Sequence, residues 1–288
     1  MKPPAFAYHR PRSLAEALST LADVDGDGKV LAGGQSLVPL LNMRLAAPGH
    51  LVDINGLGAE LGSIEADEAG ARVGALVRHA ETERAQAVPS LVREATRHVA
   101  HPTIRNRGTT VGSIAHADPA SELPAVLLLL GGSVTAASTT GERTIAAADL
   151  FVGPLETSLR SGELVTSALF PALPARSGSA WVEVSRRSGD YALAGLGLVV
   201  TLTPQREIER AAAAFISVGP TPVMVDLTPA VGGQPAADAD WAAAGDLARA
   251  QMDPDADIHA TADYRRHLVG VLTARAGAVA ARRAEEVA

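Results

Sequence analysis

The sequence predicts an α+β protein made of more than one compact unit. Short strand-like segments alternate with helical ones early in the chain, whereas strand-like segments follow one another directly after residue 180. The chain has 288 residues, of which 47% are apolar, enough to fill two or three cores. Pro171, Pro174 and the run Arg176–Ser179 mark a boundary between units. We therefore expect units at 1–55, 56–175 and 176–288.

Composition excludes several classes of function. A net charge of -7 argues against a nucleic-acid partner, because phosphate backbones are bound by clustered Lys and Arg. The chain has no cysteine, which excludes disulfides, thiolate nucleophiles and cysteine-ligated iron–sulfur or zinc sites within it. Redox chemistry would therefore need a bound organic cofactor or a partner protein.

Nothing in the sequence predicts a targeting or membrane-spanning segment. The N-terminal residues lack the apolar core of a signal peptide. The longest apolar run, Ala125–Leu130, is far shorter than the roughly 20 residues that cross a bilayer. We expect a soluble cytoplasmic protein.

The first unit has the pattern of a small α/β layer. Ser13 followed by Glu16 forms a capping box that opens an amphipathic helix. A strand at 30–31 precedes a helical turn at 37–41, and residues 50–54 are typical of the next strand.

The second unit combines a hairpin with helices and longer strands. A turn separates the predicted strands 64–66 and 72–75. Apolar residues at helical spacing predict helices at 91–99 and 123–130, and residues 163–170 have the pattern of a strand.

The third unit is predicted to be a strand meander followed by helices. Its strands are expected at 180–184, 196–202 and 213–218. The low-complexity run Pro229–Asp240 is expected to be a solvated loop. Helices then close the chain, and we expect the tail, rich in Ala and Arg, to fray.

The stretch Leu31–Leu37 reads Leu-Ala-Gly-Gly-Gln-Ser-Leu and follows a predicted strand. Its two glycines allow a sharp turn and a close approach to a ligand without interference from a Cβ atom. Backbone N–H groups would then face an anion, with the side chains of Gln35 and Ser36 as further donors. The stretch is therefore either a phosphate-binding concavity or an ordinary turn.

A second stretch, Arg105–Pro124, combines small, hydroxyl and charged residues. Its glycines and threonines suit a loop that binds phosphate or ribose ahead of a helix. The alternative is a polar connection in which Asp118 or Ser121 caps that helix. A triad of Ser113, His116 and Asp118 is disfavoured, because residues so close on one loop seldom converge and no Gly-x-Ser-x-Gly motif accompanies them.

A third stretch, Arg186–Gly195, places two arginines before Gly-Asp-Tyr. Guanidinium groups pair with phosphate and an aromatic ring stacks on a flat ligand, although a turn with a half-buried tyrosine has the same pattern. His98 and His101 have a metal-compatible spacing, but Pro102 ends the helix there and cationic side chains suit a helix C-terminus. We predict no metal site, and no Gly-x-Gly-x-x-Gly motif follows a strand.

Together, in this order and spacing, the three stretches resemble the FAD-binding medium subunits of the molybdenum hydroxylases. This family includes the carbon monoxide dehydrogenase medium subunit and the flavin domain of xanthine dehydrogenase. Ala260–Leu268 is also similar to the last segment of the family's C-terminal domain, so the resemblance covers nearly the whole chain. It implies a vanillyl-alcohol-oxidase-like (PCMH-type) FAD-binding domain of two α/β subdomains, joined to a C-terminal antiparallel sheet with helices.

The resemblance also implies which residues hold FAD. The first motif would wrap the pyrophosphate, and the second would form another FAD loop with Asp118 close to the cofactor. Arg187 stands at a basic position near the flavin, Tyr191 at an aromatic position beside the isoalloxazine, and Leu164 at an aliphatic position against the ring system. The implied contacts are Ala32, Gly33, Gly34, Gln35, Ser36, Leu37, Thr109, Thr110, Val111, Gly112, Ser113, Asp118, Leu164, Arg187 and Tyr191.

Val111 departs from the family pattern Thr-x-Gly-Gly, because it occupies the position of the first glycine. If that glycine needs a positive φ, a β-branched residue is strongly disfavoured there. The backbone of the second motif would then differ locally from that of the family.

The function that the resemblance implies is electron transfer. In this family a large subunit with molybdopterin oxidises the substrate, a small subunit carries two [2Fe–2S] clusters, and the flavin subunit passes electrons to quinone, oxygen or NAD. The absence of cysteine agrees, since this chain can hold FAD but no cluster. The implied assembly is an (αβγ)2 heterohexamer without a transmembrane segment. Peripheral association with a membrane quinone pathway is compatible with this assembly. No residue of this chain is expected to be catalytic toward the substrate.

Two rival functions remain open. The first is a stand-alone FAD-dependent oxidoreductase with its own small substrate, which should carry a covalent-flavin His or a catalytic acid facing the flavin. The second is a non-catalytic nucleotide-binding module. Association with molybdenum and iron–sulfur subunits distinguishes electron transfer from the first rival, and reduction of the bound flavin distinguishes it from the second.

Overall fold

The N-terminal part of the fold is a parallel sheet of three strands in the order β1-β3-β2. The computed structural model describes residues 2–288. The elements are β1 (Ala7–His9), α1 (Leu14–Asp23), β2 (Gly28–Leu31), α2 (Leu37–Met43) and β3 (His50–Asp53). Ser13 caps α1, and its Oγ accepts a hydrogen bond from the Glu16 amide at 3.2 Å. The β2–α2 connection leaves the carboxyl end of β2, the side on which parallel sheets bind ligands.

The middle part of the fold is an antiparallel sheet of five strands in the order β4-β5-β10-β6-β7, with helices packed around it. Its elements are α3 (Gly58–Leu61), β4 (Ile64–Asp67), β5 (Gly70–Gly74), α4 (His79–Arg84), α5 (Ser90–His98), α6 (Pro102–Arg105), α7 (Thr110–His116), α8 (Glu122–Leu129), β6 (Ser133–Ser138), β7 (Gly141–Ala146), α9 (Ala147–Leu150), β8 (Phe151–Gly153), β9 (Glu156–Thr157) and β10 (Leu164–Pro171). Strands β8 and β9 form a separate two-stranded ribbon.

The C-terminal part is an antiparallel meander in the order β11-β12-β13-β14, followed by helices. Its elements are β11 (Ser177–Ser185), β12 (Ala192–Leu202), β13 (Ile208–Ile216), β14 (Val223–Asp226), α10 (Thr228–Val231), α11 (Trp241–Ala250) and α12 (Ala262–Glu286). The sheet lies between α12 and α8, and both helices pack against it. Within residues 2–288, no helix has both the length and the apolar composition needed to cross a membrane.

Helix α8 joins the middle and C-terminal parts. It is apolar on every side, and Leu123, Val126 and Leu127 are fully buried. A helix without a polar face has to be covered all round. One side of α8 packs on α5 and the other on β12 and β13, so a single core continues from the middle sheet into the meander.

The fold class predicted from the sequence is confirmed by this architecture and by the comparisons reported below. The unit boundaries at 55 and 175 stay predictions. The second motif is not a loop as predicted, because α7 begins at Thr110. The Oγ of Thr109 accepts a hydrogen bond from the Gly112 amide at 3.2 Å, which caps that helix.

Two predictions for the C-terminal part are wrong. The run 229–240 is not simply a solvated loop, because α10 and a 3-10 turn at Ala236–Asp238 occupy much of it and Val231 is fully buried. The tail does not fray, because α12 continues to Glu286. Burial of Ala280 and Ala284 against the meander stabilises its last turns.

The contact between β11 and α12 leads to a first prediction. A Cβ atom at Gly178 would lie 2.1 Å from the carbonyl oxygen of Ala280 and 2.3 Å from the amide nitrogen of Ala284. We expect Gly178→Ala to displace α12 and to lower the free energy of unfolding by about 1–3 kcal/mol, measured by thermal melting. Gly58→Ala is the control, because no atom lies within 4 Å of its Cβ position. An unchanged melting temperature in Gly178→Ala would contradict this account of α12 docking.

Candidate functional site

A cavity of about 970 Å³ lies between the N-terminal and middle parts of the fold. Its wall includes the β2–α2 connection, the start of α7, the β9–β10 connection and the residues just before β12. This volume is near the upper end of the range for small-molecule sites. Twelve of the fifteen predicted FAD contacts line it, and the three that do not are Thr110, Asp118 and Arg187.

The glycine pair of the β2–α2 connection exposes a row of backbone donors. Within residues 2–288, the amides at 33–37 have no hydrogen-bond partner. Gly34 adopts a φ of +73°, a conformation that L side chains rarely take, and the Gln35 amide group closes the turn by donating to the Gly33 carbonyl at 3.0 Å. Consecutive free N–H groups at a concave wall form an anion-binding arrangement.

Gly33 brings the β2–α2 connection into direct contact with the α6–α7 connection. A Cβ atom at Gly33 would lie 2.5 Å from the carbonyl oxygen of Arg107 and 2.7 Å from the Cα of Gly108. Only glycine therefore allows the two backbones to approach this closely. The first and second motifs, which are far apart in the sequence, become adjacent walls of one cavity.

A side-chain bridge fixes the same two connections. The guanidinium of Arg78 donates to the Arg107 carbonyl at 2.6 Å and to the Asn55 side-chain oxygen at 2.8 Å. Asn55 in turn donates to the Ala32 carbonyl at 2.8 Å. This bridge holds the relative position of the walls, and no sequence motif indicated it because its members come from separate elements.

The second motif contributes the first turn of α7 to the wall. Val111 lies inside the helix and does not have a positive φ, so its difference from the family glycine does not strain the backbone. Its amide has no partner within the described residues, and Val111 lines the same cavity as the row at 33–37. Thr110 faces away from the cavity, because its hydroxyl pairs with Thr82 at 2.7 Å and its amide donates to Val77 at 3.1 Å.

The other predicted contacts divide into two groups. Leu164 and Tyr191 line the cavity. Asp118 lies off the wall, and its carboxylate accepts a hydrogen bond from the Ala120 amide at 2.8 Å. Arg187 is exposed in the turn before β12, where its carbonyl accepts a hydrogen bond from the Asp190 amide at 3.1 Å.

His79 is a wall residue that the sequence did not reveal. Its side chain is buried, and its Nδ1 atom has no hydrogen-bond partner in the described part of the chain. Burial, together with the positive charge of Arg105, lowers the pKa of the His79 imidazole to about 4. The ring packs on Gly108, whose added Cβ would lie 2.8 Å from His79 Cδ2. The imidazole is therefore neutral at about pH 7, and its unpaired Nδ1 atom is enclosed by protein rather than open to the cavity.

Glu122 is a second wall residue outside the predicted set of contacts. It begins α8 and is half-buried at the cavity wall, and the sequence showed only that an acidic residue stood near a helix start. Burial raises the pKa of the Glu122 carboxyl to about 8, and the charges of Glu183 and Asp118 contribute to the increase. His116 also lines the cavity, and burial lowers the pKa of its imidazole.

Comparison with known proteins identifies the family to which this fold belongs. The profile of the family described as "FAD binding domain in molybdopterin dehydrogenase" matches residues 4–173. The profile described as "CO dehydrogenase flavoprotein C-terminal domain" matches residues 179–279. The chain belongs to the family of FAD-binding medium subunits of the molybdenum hydroxylases, as its motifs predicted.

Individual relatives match along their whole length. The chain is 41% identical to the 6-hydroxypseudooxynicotine dehydrogenase complex subunit alpha of Paenarthrobacter nicotinovorans, over 99% of this chain and 97% of that protein. It is 34% identical to the carbon monoxide dehydrogenase medium chain of Afipia carboxidovorans, over 96% of each. A chain of quinoline 2-oxidoreductase from Pseudomonas putida 86 superposes with a TM-score of 0.90 at 34% identity, covering 99% of both chains. The predictions of an oxidoreductase subunit and of FAD as its cofactor are confirmed.

The burial of His79 predicts a loss of stability in acid. Unfolding lets the imidazole take up a proton below its ordinary pKa of about 6.5, whereas the folded chain takes it up only near pH 4. The free energy of unfolding therefore decreases as the pH falls from about 6.5 toward 4. At about pH 5 the decrease amounts to about 2 kcal/mol. We expect His79→Asn to show a smaller drop in melting temperature between about pH 7 and pH 5 than the wild type. The exposed His267→Asn variant is the control, and an equal drop in all three proteins would contradict the role of His79.

Proposed function

We propose that this chain is the electron-transferring FAD subunit of a heteromeric molybdenum hydroxylase. It takes electrons from [2Fe–2S] clusters of a small partner subunit and passes them to an external acceptor, which is quinone, oxygen or NAD. The observation that carries the proposal is the row of free amides at 33–37 on a large cavity, in a chain that has no cysteine to hold a cluster of its own.

The residues of the cavity fit FAD. The free amides at 33–37 and at Val111 are suited to the negative charge of a pyrophosphate. Leu164 and Tyr191 supply apolar and aromatic surface for a ring system. Bound FAD supplies the redox chemistry, while the chain holds and orients it.

The names of the relatives support a place in a larger complex. One relative is named as a complex subunit, and others are named as medium subunits or medium chains. We place this chain with a molybdopterin-binding large subunit and a [2Fe–2S] small subunit in an (αβγ)2 assembly. The relatives belong to enzymes named for nicotine, caffeine, glyceraldehyde and carbon monoxide, so we assign the choice of substrate to the large subunit.

Substitution of the glycine pair tests the site. Gly33→Ala would push the Arg107–Gly108 backbone away, and Gly34→Val would put a β-branched residue at a φ of +73°. We expect each variant to retain less than a tenth of the wild-type flavin, measured by the absorbance of the purified protein. Gly58→Ala, which has no neighbouring atoms to displace, should keep its full flavin content. Full occupancy in both site variants would remove this connection from the binding site.

Reduction of the bound flavin tests the function. The chain is co-expressed with the large and small subunits that co-purify with it, and the flavin absorbance is followed after substrate is added to the complex. We expect the flavin to be reduced only when the small subunit is present. Reduction by substrate in the isolated chain would favour a stand-alone oxidoreductase, and a bound flavin that neither the complex nor dithionite reduces would favour a nucleotide-binding module.

A further inference from the structure

Arg265 is a buried arginine in the first turn of α12, and its side chain meets three separate segments of the C-terminal part. The residue is 6% exposed. Its Nη1 atom donates to the carbonyl groups of Leu193 and Ser217, the latter at 3.1 Å. Its Nη2 atom donates to the Asp257 carboxylate at 2.7 Å. Arg265 does not line the cavity, so these contacts hold protein segments rather than a ligand.

The Leu193 contact holds the end of the turn 186–191, which joins β11 to β12. Gly189 and Tyr191 of this turn line the cavity. Leu193 is the second residue of β12 and follows Tyr191 by two positions. Two residues of an extended strand span about 7 Å. Arg265 therefore fixes the backbone within about that distance of the cavity wall.

The Asp257 contact holds the beginning of the same turn. The Asp257 carboxylate accepts hydrogen bonds from the amides of His259 and Ala260 at 2.8 and 2.9 Å, which fixes the loop before α12. Arg186, the first residue of the turn, donates from Nη1 to His259 Nδ1 at 3.2 Å. Hydrogen bonds from the two amides and from Arg265 lower the pKa of Asp257 to about 2, so its carboxylate is charged at neutral pH. Both ends of the turn are thus connected to Arg265.

The Ser217 contact reaches another part of the cavity wall. Ser217 follows β13 and has a φ of +63°, which is uncommon for a residue with a side chain and persists only where the surroundings fix it. Its amide donates to the Pro119 carbonyl at 2.9 Å, in the connection from α7 to α8. Ser121 and Glu122, which line the cavity, follow Pro119 within three residues. Arg265 therefore also supports the connection that carries these two wall residues.

The turn 186–191 fits closely against the middle part of the fold. Gly189 has a φ of +86°, and a Cβ atom there would lie 2.3 Å from Cε1 of the His101 ring. Close packing of this kind leaves little room to absorb a shift of the turn. A displaced turn therefore changes the cavity wall at Gly189 and Tyr191.

We propose that Arg265 is a positioning residue of the flavin site. From α12 it fixes both ends of the turn 186–191, and through Ser217 it supports the connection between α7 and α8. The aromatic surface of Tyr191 is thereby preorganised for the flavin ring, which strengthens cofactor binding without a direct contact from Arg265. The inference rests on the proposed function, because it takes the cavity as the FAD site.

Tryptic cleavage of the flavin-free chain tests the positioning of the turn. Arg186 and Arg187 are cleavage sites within the turn, and Lys29 in β2 is a site that reports opening elsewhere in the fold. We expect Arg265→Leu to speed cleavage in the turn roughly tenfold and to leave the rate at Lys29 unchanged, because only local opening becomes easier. Mass spectrometry of the fragments gives both rates. Equal acceleration at Lys29 would make Arg265 a stabilising residue of the whole fold and overturn the proposal.

Two further variants complete the cleavage experiment. Arg266→Leu is the matched control, because Arg266 is the next residue of α12 and pairs with the exposed carboxylates of Asp253 and Asp263 at 2.6 and 3.1 Å. It should be cleaved like the wild type. Asp257→Asn keeps a side-chain oxygen for the loop amides but loses the acceptor for Arg265, so it should speed cleavage in the turn by a smaller factor. A wild-type rate in either Asp257→Asn or Arg265→Leu would overturn the proposal.

A double-mutant cycle with Tyr191 tests the effect on the cofactor. The dissociation constant of FAD is measured for the isolated chain as Arg265→Leu, Tyr191→Leu and the double variant. We expect Arg265→Leu to raise this constant roughly tenfold, because the wall is no longer preorganised. Tyr191→Leu should then have a smaller effect in that background than in the wild type, since a displaced turn no longer presents its ring. In the Arg266→Leu background, its effect should be the same as in the wild type.

The cycle also separates this inference from the proposed function. Full multiplication of the Arg265→Leu and Tyr191→Leu effects on the FAD dissociation constant would show that Arg265 does not act through the turn, and would overturn the inference. A wild-type chain that binds no FAD would instead contradict the proposed function. The cleavage experiment contains no flavin and no partner subunit, so its result on the turn is independent of electron transfer within the complex.

Discussion

The contact between the β2–α2 connection and the α6–α7 connection is the constraint on which the cavity depends. The first follows a strand of the parallel sheet, and the second precedes a helix of the middle part. Gly33 allows their backbones to touch, while Arg78 and Asn55 hydrogen-bond to carbonyl groups on both sides. Because the donors at 33–37 and Val111 belong to opposite sides of this contact, their convergence on one volume depends on it.

Helix α8 has the corresponding role between the middle and C-terminal parts of the fold. Its apolar residues belong to the core of the middle part, and that core also includes Trp181, Ala212 and Ile216 of the meander. The C-terminal sheet is therefore held by the same hydrophobic contacts that hold the middle sheet.

The sequence predicted those features that depend on local chemistry. The Ser13 capping box, the glycine pair at 33–34 and the hairpin at 64–75 each follow from neighbouring residues, and the motifs identified the family. The helical nature of the second motif was missed, because its glycines and threonines are typical of loops. In the structure the Thr109 side chain caps the first turn of α7, and the motif is helical from Thr110 onward.

The missed site residues depend on tertiary structure instead. Asp118 and Glu122 are both acidic residues of the second motif stretch, so the sequence does not distinguish them. The packing of α8 places Glu122 on the cavity wall, whereas the Asp118 carboxylate accepts a hydrogen bond from the Ala120 amide. His79 could not be predicted either, because a histidine at a helix start has no distinctive sequence pattern. Its place on the wall depends on the contact between its ring and Gly108, which is distant in the sequence. The length of α12 was underestimated because its Ala-rich end is stabilised by the meander rather than by its own composition.

The Arg78 bridge has a consequence for the order in which a holoenzyme is built. Its hydrogen bonds join protein groups to protein groups, so the two walls are held at their mutual distance without any contribution from the cofactor or from another polypeptide. A preorganised cavity spares the ligand the entropic cost of ordering its own binding site. We therefore expect flavin loading to follow directly from the folding of this chain, and docking into the complex to come later.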